Sequence, residues 1–217
     1  MNTKSVLFII AVICLAHVSS VKFSLKKAAS KDGDEKTHIA DAVGRFVSDS
    51  LFEMSSNRDG SVDEREAARL FDSVERSLAS AFPDVPAEEL RISRDFASFN
   101  TNQSGRIDRA EFRVLGMGLA ERVAHLSRRS ESDVTDRTAH LVANVCFDLS
   151  GRNNNNRRNS NEIRRAVDAL SRSAGVNERN VNSLNNNRSG SVDREELTRY
   201  VRELIEGVEK RAHSQYN

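Results

Sequence analysis

The sequence predicts an all-α protein of four helix-loop-helix units arranged in two pairs, with short β-pairing between loops. Three observations lead there. The 217-residue chain holds 2 prolines, 10 glycines, no tryptophan and 2 tyrosines, too few turn residues and aromatics for a sandwich or barrel of many short strands. A twelve-residue segment recurs three times in register. Apolar residues at helical spacing flank every copy. At 38% apolar and 30% charged, the chain can bury one or two cores and is neither disordered nor collagen-like. Its 33 basic and 32 acidic side chains leave no basic surface for nucleic acid and no polyacidic tail for bulk ion storage. Function must therefore reside in local motifs.

Taken in order, residues 1–20 read as a secretory signal. Lys4 gives a short basic start, and residues 5–16 (SVLFIIAVICLA) form an apolar stretch too short to cross a bilayer of ~30 Å as a helix. Val18 and Ser20 stand at the minus-three and minus-one positions of a cleavage site, where small side chains are required. The competing readings are an uncleaved anchor and a buried N-terminal helix. Removing these residues takes away Lys4 and no acid, which balances the remaining charge. No later apolar run approaches membrane length, so no transmembrane span is expected. Cys14 lies in the signal, leaving Cys146 alone and excluding an intramolecular disulfide. A helical setting points to burial of that thiol, the alternative being a disulfide between chains. Residues 214–217 (SQYN) are not a KDEL-type retrieval signal, so a secreted, extracellular protein is expected. Residues 21–36 read as a disordered leader, with contact of its lysines to an anionic surface as the alternative.

The repeated segments are residues 55–66 (SSNRDGSVDERE), 100–111 (NTNQSGRIDRAE) and 185–196 (NNNRSGSVDREE). Oxygen-bearing side chains occupy positions 1, 3 and 5: Ser55, Asn57 and Asp59; Asn100, Asn102 and Ser104; Asn185, Asn187 and Ser189. Such a loop suits a hard cation wrapped by oxygen. Position 6 is Gly60, Gly105 or Gly190, where a sharp bend excludes a Cβ. Position 7 offers the carbonyl of Ser61, Arg106 or Ser191. Position 8, a β-branched Val62, Ile107 or Val192, packs against the same position of a partner loop. Asp63, Asp108 or Asp193 at position 9 acts directly or through water, and Glu66, Glu111 or Glu196 at position 12 closes the sphere with both oxygens. Leu51 and Met54, Phe96 and Phe99, and Val181 and Leu184 precede the loops, while Leu70, Phe71, Phe112, Leu115, Leu197, Tyr200 and Val201 follow them, each set on one helix face.

This grammar resembles the EF-hand superfamily over roughly residues 37–206, in a secreted, calmodulin-like arrangement of four hands. EF-hands pair, so three good copies imply a fourth. Residues 148–162 (DLSGRNNNNRRNSNE) stand where it should be, but the segment is fifteen residues long and lacks a glycine at the bend. Counted back from Glu162, Arg158 takes position 8, beside Arg157. The third hand is read as degenerate and silent, pairing structurally with the 185–196 loop while the first two loops pair together. A rearranged binding loop is the alternative. The expected organisation is a first pair over 37–127, a linker at 128–133 that is a hinge or a continuous helix, a second pair over 134–206 and a tail at 207–217. Pro86 is expected in the first turn of the helix leading to Phe99, and Gly175 is expected to break the chain in the second pair.

The resemblance implies Ca²⁺ as ligand, and the donor count implies that it is held weakly. The first loop offers three carboxylates, Asp59, Asp63 and Glu66, and is the expected best site; the other two offer two each. Affinity in this motif follows charged-ligand count and rigidity, which places Kd at roughly 10⁻⁴ to 10⁻³ M, the range of extracellular modules. Mg²⁺ is disfavoured by its reluctant dehydration and tight octahedral demand. The competing reading is a helical scaffold that has lost the metal; Asp at 9 and Glu at 12 in three loops argue against it, because a scaffold needs neither. Asn102 and Asn187 open N-x-S sequons; a glycan there would displace a calcium ligand, and the intact late ligands of both loops lead to the expectation that they are mostly unglycosylated. Met54 and Met117 are the sole methionines after the signal, which argues against an adaptable Met-rich sensor groove. The absence of tryptophan argues by analogy against the light-emitting EF-hand proteins. His38, His125, His140 and His213 are scattered, and no nucleophile, base and orienter are grouped, so no enzyme is expected. The function expected is a secreted, low-affinity calcium-binding protein, a buffer or matrix component. The alternative is an interaction scaffold of an extracellular or biomineral matrix, with an extracellular protein as partner.

Overall fold

The computed structural model describes residues 31–56, 60–94, 96–130, 133–151, 157–176, 184 and 191–216. The signal at 1–20, residues 21–30, Val181, Gly190 and the expected ligands Asn57, Asp59, Asn185, Asn187 and Ser189 lie outside the described residues. The fold is mostly helical with one small two-stranded antiparallel sheet, as the sequence predicts.

Helix α1 (Lys31–Ser55) enters the first loop and buries Phe46, Val47, Leu51, Phe52 and Met54. It starts earlier than expected, so residues 31–36, assigned to the leader by sequence, are helical. Ile39, Ala40 and Val43 extend its apolar stripe toward Met117 and Ala120. Helix α2 (Glu64–Ala81) leaves the loop with Leu70, Phe71, Val74 and Leu78 buried.

The expected single helix from Pro86 to Phe99 is absent. Two short turns replace it, α3 (Ala87–Leu90), with Pro86 as its N-cap, and α4 (Phe96–Phe99). At Arg91 the backbone turns extended, φ −62° and ψ 137°, and contacts from α2 hold the segment that follows. The Ile92 amide donates to Glu75 Oε1 at 3.2 Å, and Arg94 pairs with Asp72 at 2.7 Å and with Glu75. The hydrogen bond from Arg94 is the main cause holding the Glu75 carboxyl below its usual range.

Helix α5 (Arg109–Arg129) leaves the second loop. It takes in residues 128 and 129, Ser130 closes it, and Asp133 caps α6 (Val134–Ser150) by accepting the Asp136 amide at 3.0 Å. The segment expected as linker is thus a break between helices and not a continuous one. Strand β1 (Arg157–Asn159) precedes α7 (Ser160–Ser173), and strand β2 (Ser191–Asp193) precedes α8 (Arg194–Tyr216). Helix α8 absorbs most of the expected tail because Val208 and Ala212 continue the buried stripe of Leu204 and Ile205.

Position 8 joins the loops two by two. Val62 and Ile107 exchange amide–carbonyl bonds of 2.9 and 2.8 Å, and Arg158 faces Val192 in the antiparallel β1–β2 pair. Both pairings are those expected from the repeat. The two helix pairs are not packed apart: α1 lies against α5 of its own pair and also against α6, α7 and α8, while α2 lies against α6. The buried apolar side chains form one cluster through both pairs. Cys146 is fully buried within it, and burial pushes its thiol pKa up to about 12. Among the described residues no helix is long and apolar enough to cross a membrane.

Candidate metal centre

The second loop is described in full and shows what the repeat places together. Gly105 adopts φ 78° at the bend, as Gly60 does at φ 72° in the first loop, the left-handed region that a glycine enters without penalty. The bend folds the early oxygens over Ser104. Its amide donates to Asn100 Oδ1 at 3.1 Å and to Asn102 Oδ1 at 2.9 Å, while its hydroxyl donates to the Arg106 carbonyl at 2.8 Å. Asn102 Nδ2 lies 3.4 Å from Asp108 Oδ2, and Glu111 Oε1 accepts the Asn102 amide at 3.0 Å and the Thr101 hydroxyl at 2.9 Å. Positions 1, 3, 5, 7, 9 and 12 are therefore gathered within one hydrogen-bonded network. Desolvation opposes charge on Glu111, but the amides of Asp108 and Asn102 and the Thr101 hydroxyl hold its carboxyl below the usual range.

The donors are all oxygens, two of them carboxylate groups, and Asn100, Ser104 and Asn102 add neutral ones. Such a set fits a hard divalent cation. Among the described residues no three His, Cys, Asp or Glu side chains gather so as to hold a metal ion by themselves, so a cation in this loop would depend on the neutral oxygens as well. Ser55, position 1 of the first loop, supports the same fit. It is 8% exposed, and among the described residues no partner reaches its buried Oγ, an orphaned oxygen of the kind that needs an explanation. Ser61, at position 7, accepts from the Arg106 guanidinium at 2.7 Å across the bridge between loops. In the 185–196 loop Ser191 and Asp193 lie in β2, and Glu196 lies in the first turn of α8.

Positions 9 and 12 have a second role that the sequence reading missed. The amides of Asp63, Asp108 and Asp193 donate to Oε2 of Glu66, Glu111 and Glu196 at 2.9, 3.0 and 3.1 Å. The returning bonds, from those glutamate amides to the aspartate Oδ1, are 2.8, 2.9 and 2.9 Å. These are capping boxes, which satisfy orphan donors at a helix start. Asn159 and Glu162 repeat the arrangement in the 148–162 segment at 3.0 and 3.1 Å. The argument that a scaffold needs neither residue is corrected accordingly: the exit helices use both as caps. Replacing Asp108 with alanine should cost about 1 kcal/mol in urea unfolding, whereas Asp108→Asn, which removes a carboxylate and keeps a capping oxygen, should cost a few tenths. Equal losses for both variants would show that the side-chain oxygen does not cap α5.

In the 148–162 segment, read from the sequence as a degenerate hand, the described charged side chains already have partners. Asp148, its first residue, remains in α6 and pairs with Arg194 at 2.5 Å and Arg76 at 3.1 Å. Burial raises its pKa, but those two arginines prevail and hold it below the usual carboxylate range. Arg158 is 2% exposed, with its guanidinium 4.6 Å above the Phe147 ring centroid and Nε donating to the Phe147 carbonyl at 3.3 Å. Residues 152–156 lie outside the described residues.

With this geometry in place, comparison with known proteins adds one finding. A family model described as EF hand matches residues 94–116, the segment containing the second loop and its flanking helix turns. The chain thus contains an EF-hand motif. No curated protein and no solved structure matches it.

Proposed function

We propose that this chain is a secreted, low-affinity Ca²⁺-binding protein acting in extracellular fluid or matrix, and that it is not an enzyme. The observation that carries the reading is the convergence of the second-loop oxygens within the matched EF-hand segment. Asn100, Asn102, Ser104, the Arg106 carbonyl, Asp108 and Glu111 would hold the ion there. When bound, Ca²⁺ supplies the positive charge that offsets the repulsion of the gathered oxygens. Asn102 positions the Ser104 amide and sits beside Asp108, so a glycan on its Nδ2 would disrupt both contacts. The low charge count sets the affinity, and a medium with millimolar calcium is where such loops fill. The hydrophobic stretch at 5–16 supports export.

A second reading has a specific observation behind it. The four capping boxes stabilise the exit helices without any ion, so the fold can serve as an interaction scaffold. Calorimetry on the chain separates the two. Heat saturating at roughly millimolar Ca²⁺ is expected, reduced by Glu66→Gln and by Glu111→Gln, each of which keeps a capping oxygen and loses a charge. A flat trace for the unsubstituted chain would leave the scaffold.

A further inference from the structure

The last two turns of α1 collect side chains from two other helices, α5 and α7. Arg109, two residues before Glu111 in the second loop, pairs with Asp49 at 3.0 Å and with Glu53, and its guanidinium lies 4.7 Å from the Phe52 ring centroid. Phe112, one residue after Glu111, meets the same Phe52 ring edge-on at 5.3 Å and 72°. The start of α5 is thus pinned to α1 on both sides of the loop's closing glutamate. From the other helix pair, Arg172 reaches Glu53 at 3.4 Å. Arg165 donates to the carbonyls of Glu53 at 3.1 Å and Ser56 at 2.5 Å, capping the C-terminal end of α1, where unpaired carbonyls favour a cation. Both arginines belong to α7, the helix that leaves the degenerate hand.

We propose that Glu53 is a positioning residue through which ion occupancy of the second loop is felt by α7, so that the silent hand responds to calcium without binding it. The inference rests on the calcium reading above. Both oxygens of Glu111 are already engaged, Oε2 by the Asp108 amide and Oε1 by Asn102 and Thr101. Turning that carboxylate toward an ion exchanges those bonds and re-seats the first turn of α5. Arg109 and Phe112 move with it, and they grip Asp49, Phe52 and Glu53. Packed cores and charge clusters respond to such shifts by switching contacts, not by stretching them. Glu53 is the step where the path leaves the first pair, because one carboxylate serves Arg109 and Arg172 at once. Coupling through such clusters is of a size to move a midpoint by about threefold.

Hydrogen exchange read by mass spectrometry on the full chain, with Ca²⁺ and with Mg²⁺ as control, tests this. Calcium should slow exchange in residues 100–111 and also in α7. In Glu53→Gln the loop should keep its protection while that of α7 disappears, and Arg172→Met, which cuts the link from the other side, should do the same. In Glu111→Gln both should vanish. An α7 response that survives Glu53→Gln and Arg172→Met overturns the coupling and leaves the calcium reading intact. One that survives Glu111→Gln assigns it to the 185–196 loop and overturns the coupling as well. Absence of any calcium effect on residues 100–111 overturns the coupling, and absence of a calcium effect anywhere in the chain overturns the calcium reading with it.

Discussion

Replacing Gly116 with alanine should destabilise the protein although alanine is the better helix former. The residue sits in the middle of α5, where glycine costs about 1 kcal/mol relative to alanine through backbone entropy. Propensity alone therefore argues for stabilisation. Packing argues the other way, because a Cβ built at Gly116 overlaps the Cα, Cβ and Oγ of Ser48 on α1. A side-chain tip could swing aside; the Cα of a buried helix cannot. Among the described residues the α1–α5 contact is the most extensive between helices, and Ser48 is 1% exposed, so separating the helices enough for a methyl group opens the neighbouring core. Overpacking of this kind typically costs 1–3 kcal/mol, occasionally more, and we expect a net loss of about 2 kcal/mol, or roughly 4–8 °C in Tm. Gly118, two residues along the same helix, provides the control. A Cβ there meets nothing within 4 Å, so Gly118→Ala should gain up to about 1 kcal/mol. Thermal unfolding of the two variants should move in opposite directions. If Gly116→Ala unfolds at or above the temperature of the unsubstituted chain, the close approach of α1 and α5 is not as described.

The parts of this fold that the sequence made legible are those governed by local repetition. Glycine at position 6, the β-branched residue at 8 and apolar pairs at helical spacing each follow from the physics of one loop and its flanks. They placed the Val62–Ile107 bridge, the register of Arg158 with Val192 and the burial of Leu51, Met54, Leu70 and Phe112. What escaped depended on residues distant in the chain. The helix expected up to Phe99 breaks because Asp72 and Glu75, a helix away, hold Arg94 and the Ile92 amide. The gathering of Arg109, Arg165 and Arg172 at the end of α1 has no periodic signature. The dual role of positions 9 and 12 escaped for another reason: Asp-x-x-Glu is both a late ligand pair and a capping box. The same letters satisfy both chemistries, so their presence alone does not choose between a bound ion and a capped helix.

Truncation of Phe147 to alanine should have the largest effect on stability. Its ring is fully buried at the end of α6, with the Arg158 guanidinium 4.6 Å and the Arg194 guanidinium 4.5 Å from its centroid. Loss of a buried phenylalanine costs about 3–5 kcal/mol through transfer and cavity terms. Here the loss also strips the π surface from two cations, one of them nearly buried, and desolvated cation–π contacts contribute up to about 2 kcal/mol each. Arg194 keeps Asp148 and the Asn144 amide oxygen as partners at 2.5 and 3.1 Å. Arg158 keeps the Phe147 carbonyl at 3.3 Å and loses the ring surface against its guanidinium. We expect about 4–5 kcal/mol for Phe147→Ala, or roughly 8–20 °C in Tm. Phe147→Leu restores most of the volume but not the ring face, and should recover more than half of the loss. Because two protein cations, and not a calcium ligand set, lie against this ring, the loss should be the same in millimolar Ca²⁺ and in chelator. A loss that calcium largely reverses would mean that the 148–162 segment takes up an ion.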